Sequence, residues 1–251
     1  GAVPNVEPGP VVTGAFISPA RRGAEVRWSL MRPPSVAGPL PLVVALHGHG
    51  GSTGQLIGPS WDLPRFLAAA VRDGVPPFAL ATVNGGNSFW HPRPTGEDSG
   101  AMVTDEFLPM LAARSDVAPG RIGLLGWSMG GYGALRLAGQ LGPDRVAAVV
   151  AGSPGLYTDP ELAHPDGFVG AAEYEQFSIM ESQTDLAGIP VRIDVGASDP
   201  FCPAVRVYVA GFADDADVTS TFEPGWHALG YSLRMLPDEL AFLGARVASD
   251  A

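Results

Sequence analysis

The sequence predicts an α/β protein built on a mainly parallel central sheet with helices on both faces. Short apolar runs with strand-like composition alternate along the chain with longer stretches whose apolar residues have helical spacing. Some of these runs, such as Leu42–Leu46, are apolar at every position, which is typical of strands covered on both faces. Because each crossover helix returns the chain to the same end of the sheet, such alternation favours parallel strand pairing.

The predicted strands, in chain order, are Val11–Ser18, Glu25–Met31, Leu42–Leu46, Phe78–Val83, Ile122–Gly126, Ala147–Ala151, Val191–Val195 and Val218–Phe222. The first two are expected to form a hairpin around Arg21-Arg22-Gly23, and the last an edge strand. The predicted helices are Leu63–Arg72, Val103–Ala113, Gly130–Leu141, Ala204–Phe212 and a C-terminal helix through Leu236, Leu240, Leu243 and Val247. We expect Pro237 in the first turn of that last helix, where proline is tolerated.

The chain is expected to form one domain over residues 11–251, preceded by an extended segment, residues 1–10, that is rich in proline and glycine. No internal repeat and no low-complexity linker divides it. Residues 156–188 do not alternate cleanly and are long for a connection, which is typical of lids and binding elements. We therefore predict a lid-like insertion there.

The composition of the chain argues against some classes of binding partner, but it does not indicate an activity. A formal net charge of -11 argues against nucleic acid and against an anionic membrane surface. No apolar run is long enough to predict a transmembrane helix. The sequence opens Gly-Ala-Val-Pro and continues through a segment like those that follow a cleaved export signal, so we expect an exported protein. A cytoplasmic location is the alternative, and nothing in the sequence indicates the oligomeric state.

The most informative motif is Gly-Trp-Ser-Met-Gly-Gly at 126–131, placed between an apolar run and a helix-forming stretch. A strand that enters Gly-x-Ser-x-Gly and leaves as a helix is the nucleophile-elbow pattern. The tight turn exposes the serine hydroxyl at a helix N-terminus. Ser128 is therefore the predicted nucleophile, and it requires a base and an oxyanion site elsewhere in the chain.

An acid and a base follow later strands, at the sheet edge where ligands bind in parallel α/β proteins. Asp199 comes just past the strand at 191–195, whereas Asp194 lies inside it and is the structural alternative. His227 lies in the loop after the last predicted strand, and the histidines at 47, 49, 91 and 164 fit this position less well. The order Ser128–Asp199–His227 is the order of an α/β-hydrolase catalytic triad.

The oxyanion site is predicted from two backbone N–H groups. Met129 follows the nucleophile at the start of a helix, near the positive end of its dipole. The second donor is expected in the glycine-rich loop Leu46–Ser52, at His49 or next at Gly50. The pair His47-x-His49 could also suggest a metal, but no third ligand follows at a sensible spacing, so we predict no metal and no cofactor.

Aromatic residues flank each proposed catalytic loop. Trp90, Trp127, Phe201 and Trp226 could line an acyl pocket or stack on a sugar ring. The alternative for each is packing of its loop against the sheet.

Together these residues resemble the esterase D-like branch of the α/β-hydrolases, which includes S-formylglutathione hydrolases, feruloyl and acetylxylan esterases and exported mycolyltransferases. The resemblance runs from about Leu42 to Leu243. The motifs that carry it are His47-Gly-His-Gly-Gly, Asn84-Gly-Gly-Asn-Ser-Phe-Trp, Gly126-Trp-Ser-Met-Gly-Gly-Tyr-Gly-Ala-Leu-Arg, Asp194-Val-Gly-Ala-Ser-Asp199 and Trp226-His227. It implies the α/β-hydrolase fold and places nucleophile, acid and base at Ser128, Asp199 and His227. The insertion at 156–188 departs from the pattern.

The predicted function is a serine carboxylic-ester hydrolase that acts through an acyl-enzyme on a small-molecule or glycolipid ester, such as an acylated sugar or lipid. An acyltransferase that delivers the acyl group to a sugar alcohol is the first alternative, since it would use the same residues. A non-enzymatic binding protein on the same fold is the second.

Overall fold

The structure, a computed structural model, describes residues 1–248 and contains a sheet of eight strands. These are β1 (Val11–Ser18), β2 (Ala24–Met31), β3 (Leu42–Leu46), β4 (Ala79–Val83), β5 (Ile122–Trp127), β6 (Val146–Gly152), β7 (Val191–Asp194) and β8 (Val218–Thr221). Their order across the sheet is β1-β2-β4-β3-β5-β6-β7-β8. β1 pairs with β2 and β2 with β4 in antiparallel register, and all later neighbours run parallel. The predicted hairpin and the mainly parallel sheet are confirmed.

Helices connect these strands. They are α1 (Thr53–Ile57), α2 (Leu63–Arg72), α3 (Ser99–Ala101), α4 (Leu108–Ala112), α5 (Met129–Leu141), α6 (Gly170–Phe177), α7 (Cys202–Ala210) and α8 (Leu229–Ala248). A π-helical stretch, Met102–Phe107, joins α3 to α4, so that helix is continuous and begins earlier than predicted. Asp98 caps it, because its carboxylate accepts the N–H of Ala101 at 2.8 Å.

Both faces of the sheet are covered, because alternate side chains of its strands enter two separate cores. In β3, Val44 packs into the core under α5 and the helix at 99–112, whereas Val43 packs into the core under α2 and α8. The β3 residues are all buried, as their uniformly apolar sequence predicts. The predicted placement of helices on both faces is confirmed.

The position predicted for Pro237 is wrong. Helix α8 begins at Leu229, so Pro237 lies inside it rather than in its first turn. Proline removes one backbone donor from a helix interior and usually destabilises it. Here buried side chains on both sides of the proline, including Leu233 and Leu240, hold the helix against the sheet, so tertiary packing outweighs the local penalty.

Residues 156–188 contain α6 and two short 3₁₀ helices, Pro160–Leu162 and Gln183–Leu186. The segment packs on the body of the protein: the Tyr132 hydroxyl donates to the carbonyl of Phe177 at 2.7 Å. Arg93, just before the helix at 99–112, forms a buried ion pair with Glu173 of α6 at 3.4 Å. Its role as a lid stays a prediction. Residues 249–251 of the predicted domain lie outside the described residues.

Within residues 1–248, no helix is both long and apolar enough to cross a membrane.

Candidate active site

Ser128 lies at a sharp turn between β5 and α5, with φ of 56° and ψ of -120°. A non-glycine residue at positive φ stores about 1–3 kcal/mol of strain and needs support from its surroundings. The flanking glycines permit the turn. A Cβ at Gly126 would lie 1.9 Å from the Gly130 carbonyl oxygen, and a Cβ at Gly130 would lie 2.0 Å from the Leu46 carbonyl oxygen. The Ser128 N–H donates to the Gly152 carbonyl at 2.9 Å, which ties the turn to β6.

Ser128, His227 and Asp199 form one chain of hydrogen bonds. The Ser128 hydroxyl lies 2.9 Å from Nε2 of His227, and Nδ1 of His227 lies 2.8 Å from Oδ2 of Asp199. A carboxylate only accepts hydrogen bonds, so Nδ1 carries the proton and Nε2 is free to accept from the serine. Asp199 is buried, and its Oδ1 accepts the N–H of Phe201 at 2.8 Å. The ring of His227 is thus oriented by a carboxylate that is itself held.

Asp194, the alternative acid, lies elsewhere in this arrangement. It is fully buried at the end of β7, and its Oδ2 accepts a hydrogen bond from Nε of Arg192 at 2.7 Å. Alternation along the strand directs it into the protein, whereas the turn after β7 brings Asp199 to the carboxyl edge of the sheet.

The loop after β3 is held by a histidine whose two ring nitrogens both make contacts. Nδ1 of His47 donates to the Gly48 carbonyl at 2.7 Å, while Nε2 accepts the N–H of Gly85 at 3.0 Å. Burial lowers the pKa of His47, which keeps the ring neutral as this pattern requires. The Gly51 N–H also donates to the Gly48 carbonyl at 3.0 Å.

These contacts orient one peptide group. Because the Gly48–His49 peptide is trans, its N–H points away from the held carbonyl. Among residues 1–248, no acceptor contacts the His49 N–H. Gly48 lies against the elbow, since a Cβ there would be 3.4 Å from Cβ of Ser128. The N–H of Met129 opens α5 on the other side of the serine, where the first N–H groups of a helix have no intrahelical acceptor.

A buried carboxyl group supports the elbow from below. Nε1 of Trp127 donates to Oε2 of Glu239 in α8 at 3.1 Å. Burial, and next the nearby charge of Asp194, raises the pKa of Glu239 well above its usual range. Glu239 is therefore held as the neutral acid beside the last residue of β5.

A groove with a volume of about 220 Å³ opens at Ser128. Its lining combines the glycine-rich loop, the start of α8 and two tryptophans: Gly48, His49, Gly51, Gln55, Trp61, Trp127, Ser128, Ser153, His227, Ala228, Leu229 and Ser232. Both polar and apolar residues line it, which suits a small ester with a polar portion.

Of the four aromatic residues predicted to line a substrate pocket, only one is part of the groove lining. Trp127 lines the groove. Phe201 packs edge-on to the His227 ring, with centroids 5.0 Å apart, and Trp226 is 69% exposed beside it. The prediction for Trp90 is wrong, because its side chain is fully buried and its ring fills the space above Gly133. Glycine at that helical position lets the indole pack where a Cβ would collide.

The absence of a metal stays a prediction, but two further candidate ligands lie beside His49 that its spacing along the chain did not indicate. His164 and Asp166 of the insertion lie beside His49, although the chain separates His49 from Asp166 by 117 positions. Spacing along the chain does not indicate this contact, because the insertion folds back over the loop.

The supporting roles of three residues were not predicted from the sequence. His47 stands directly before the glycine-rich loop, a position that could have indicated a structural role. Glu239 and Trp61 carry no local signal, because only the packing of distant helices brings them to the site.

A family model described as "Putative esterase" matches residues 20–216. No curated protein matches the chain.

Solved structures share the architecture over nearly the whole chain. A ferulic acid esterase has a TM-score of 0.79 at 21% identity, covering 94% of this chain and 98% of its own. An S-formylglutathione hydrolase from Agrobacterium tumefaciens has a TM-score of 0.76 at 17% identity, covering 94% and 95%. FphF, a fluorophosphonate-binding serine hydrolase of Staphylococcus aureus, has a TM-score of 0.75 at 15% identity, covering 95% and 99%. The predicted α/β-hydrolase fold is confirmed.

Proposed function

This chain belongs to the esterase family, and we propose that Ser128, His227 and Asp199 are the catalytic triad of its carboxylic-ester hydrolysis. One observation carries the proposal. The three side chains, from separate loops, form a continuous hydrogen-bonded chain with contacts of 2.9 and 2.8 Å. Such a chain lets a weak nucleophile lose its proton as it attacks.

In the first half of the reaction, Oγ of Ser128 bonds to the ester carbonyl carbon while Nε2 of His227 takes the hydroxyl proton. Asp199 keeps the ring in the Nδ1–H tautomer and stabilises the imidazolium. The tetrahedral oxyanion accepts hydrogen bonds from the N–H groups of His49 and Met129. As the carbonyl reforms, the C–O bond to the alcohol breaks and His227 returns the proton to the leaving oxygen.

In the second half, water repeats these steps on the acyl-enzyme. His227 takes a proton from the water, hydroxide adds to the acyl carbon, and Ser128 leaves with the proton from His227. The products are a carboxylic acid and an alcohol, and no cofactor enters the balance. A sugar alcohol in place of water would make the same residues an acyltransferase, so the two activities differ only in acceptor.

A small acyl group fits the groove best, because its volume is about 220 Å³ and part of its lining is polar. Trp226 directly precedes His227 in the chain and is 69% exposed, so its indole is open to a ring that extends from the groove. Stacking of a sugar or phenol ring on this indole is therefore the proposed contact for the leaving group.

The test combines Ser128→Ala with a substrate panel. The panel contains esters of graded acyl length, a feruloyl ester and S-formylglutathione, each with and without a sugar alcohol, and products are identified by mass. Ser128→Ala should lower kcat by about 10⁵–10⁶. A fluorophosphonate probe should label Ser128 in the native chain. Ser220→Ala, which changes an exposed serine of β8, should keep both activity and labelling.

Near-normal hydrolysis by Ser128→Ala, or labelling at another residue, would contradict the triad. Acylated sugar as the main product would favour the acyltransferase. A native chain that neither reacts with the probe nor turns over any ester would favour the non-enzymatic binding protein.

A further inference from the structure

Two imidazoles and a carboxylate meet at the rim of the groove, outside the hydrogen-bonded chain of the proposed triad. They belong to His49 in the glycine-rich loop and to His164 and Asp166 in the insertion. Nε2 of His49 is 2.7 Å from Oδ2 of Asp166, and Nδ1 of His164 is 4.0 Å from the same oxygen. One ligand atom from each residue can be chosen so that all lie within 4.8 Å of one another.

We propose that His49, His164 and Asp166 form a binding site for a first-row transition-metal dication of the Zn²⁺ class. Imidazole and carboxylate are the ligands these ions use, and three protein ligands plus water are a common coordination set for Zn²⁺. Ligand atoms about 2.0–2.2 Å from one ion lie roughly 3–4 Å from each other. The observed separations span that range, so rotations of exposed side chains can complete the site.

Access to the site is open. The side chains of His49, His164 and Asp166 are 36%, 40% and 51% exposed, so an ion can enter from solvent and keep water ligands. Because the His49 nitrogen and the Asp166 carboxylate already contact each other, the ion replaces one polar contact by two stronger ones.

The site also has a cost that limits its affinity. Nδ1 of His164 accepts the N–H of Asp166 at 3.1 Å, and that bond must give way when the imidazole turns to the ion. Exposed ligands without hydrogen-bonded supporting groups bind less tightly than braced ones. We therefore expect a micromolar rather than a nanomolar Kd.

Binding would join two parts of the protein that are otherwise separate in sequence. Its ligands come from the loop that contains the His49 N–H and from the insertion at 156–188. An ion held by both fastens the insertion over the loop at one side of the groove. This inference concerns metal binding alone, and it stands or fails independently of the proposed catalytic roles.

The experiment is a calorimetric titration of Zn²⁺ into untagged, chelator-treated protein, with Co²⁺ absorption spectra as a second measurement. One equivalent should bind with micromolar Kd, and Co²⁺ should develop the visible bands of a site with nitrogen and oxygen ligands. His164→Ala and Asp166→Ala should each weaken binding by at least about tenfold. Glu161→Ala changes an exposed carboxylate of the same segment and should leave binding unchanged.

Zn²⁺ at a hundredfold excess over Kd should raise Tm by roughly 5–10 °C in the native chain and in Glu161→Ala. The His164→Ala and Asp166→Ala variants should show little of this rise. No binding at millimolar Zn²⁺ overturns the proposal, and so does equal affinity in the native chain and His164→Ala. Binding that is lost only on His227→Ala would place the ion at the proposed triad and also overturn it.

Discussion

His47 allows a test of the proposed oxyanion role of the loop after β3, because its two ring nitrogens contact different partners. Nδ1 holds the Gly48 carbonyl and Nε2 receives the Gly85 N–H. An asparagine amide overlaps the Nδ1 position of histidine, and a glutamine amide overlaps Nε2. His47→Asn therefore keeps the hold on Gly48, and His47→Gln keeps the contact with Gly85.

The expected loss follows from the contacts. The Gly48 carbonyl oxygen accepts hydrogen bonds from Nδ1 of His47 at 2.7 Å and from the Gly51 N–H at 3.0 Å. His47→Gln therefore removes one of the two hydrogen bonds that orient the Gly48–His49 peptide. One hydrogen bond contributes about 0.5–1.5 kcal/mol. Since about 1.4 kcal/mol in the barrier is tenfold in rate, kcat should fall about two- to tenfold. Complete loss of an oxyanion donor, about 10²–10³, sets the upper limit.

Steady-state kinetics on an activated ester, together with urea unfolding, would measure both effects. His47→Gln should lower kcat with little change in KM, because the donor acts mainly on the transition state. His47→Asn should keep kcat near the native value. Both should lose about 1–3 kcal/mol of stability, since each leaves a buried polar group unpaired. Equal kcat in the two variants would refute the assignment of His47 to the orientation of this peptide.

Other substitutions test the packing around the site. Gly130→Ala should lower the free energy of unfolding in urea by more than about 3 kcal/mol, or prevent folding, because its Cβ would lie 2.0 Å from a β3 carbonyl oxygen. Gly230→Ala is the control and should not lose stability, because the space around Gly230 is open. Burial raises the pKa of Glu239, so the folded state keeps a proton that the unfolded chain releases, and native stability should fall as pH rises above about 4.5, by up to about 1.4 kcal/mol per pH unit. Glu239→Gln should make that slope shallower; burial also raises the pKa of Asp194, so part of the slope should remain. An unchanged slope in unfolding curves from pH 4 to 8 would contradict the buried neutral acid. Glu173→Ala leaves a buried guanidinium unpaired, so it should lose about 3–5 kcal/mol and speed proteolysis within 156–188, whereas the exposed Glu175→Ala should do neither.

The secondary structure was predictable wherever the signal is local. Strands such as Leu42–Leu46 are apolar at every position and end in glycine or polar turns, so their limits follow from composition. The start of α8 was not predictable in this way. Its first turns carry glycine and serine beside a loop, and only burial of residues such as Leu233 against the sheet makes them helical.

The candidate site also combines features that have a local sequence signal with features that depend on tertiary packing. The elbow at Ser128 is a local feature, because Gly126 and Gly130 permit a turn that other residues would block. The loops that contain Asp199 and His227 were predictable from their positions after strands, since parallel strands present their carboxyl ends at one edge. The burial of Trp90 depends instead on the space that Gly133 leaves for its indole, and the spacing of residues in the sequence does not indicate that space.

Local sequence features were enough to predict the order of the candidate functional groups along the chain: a glycine-rich loop, a serine elbow, then an acid and a histidine, each after a strand. This was possible because turns and strands depend on residues close together in the chain. Tertiary packing was needed to show that Asp199 contacts His227, how His47 restrains the loop, and that His164 and Asp166 lie beside His49. Those contacts join residues far apart in sequence, and they exist because the sheet, α8 and the insertion pack into one particular arrangement.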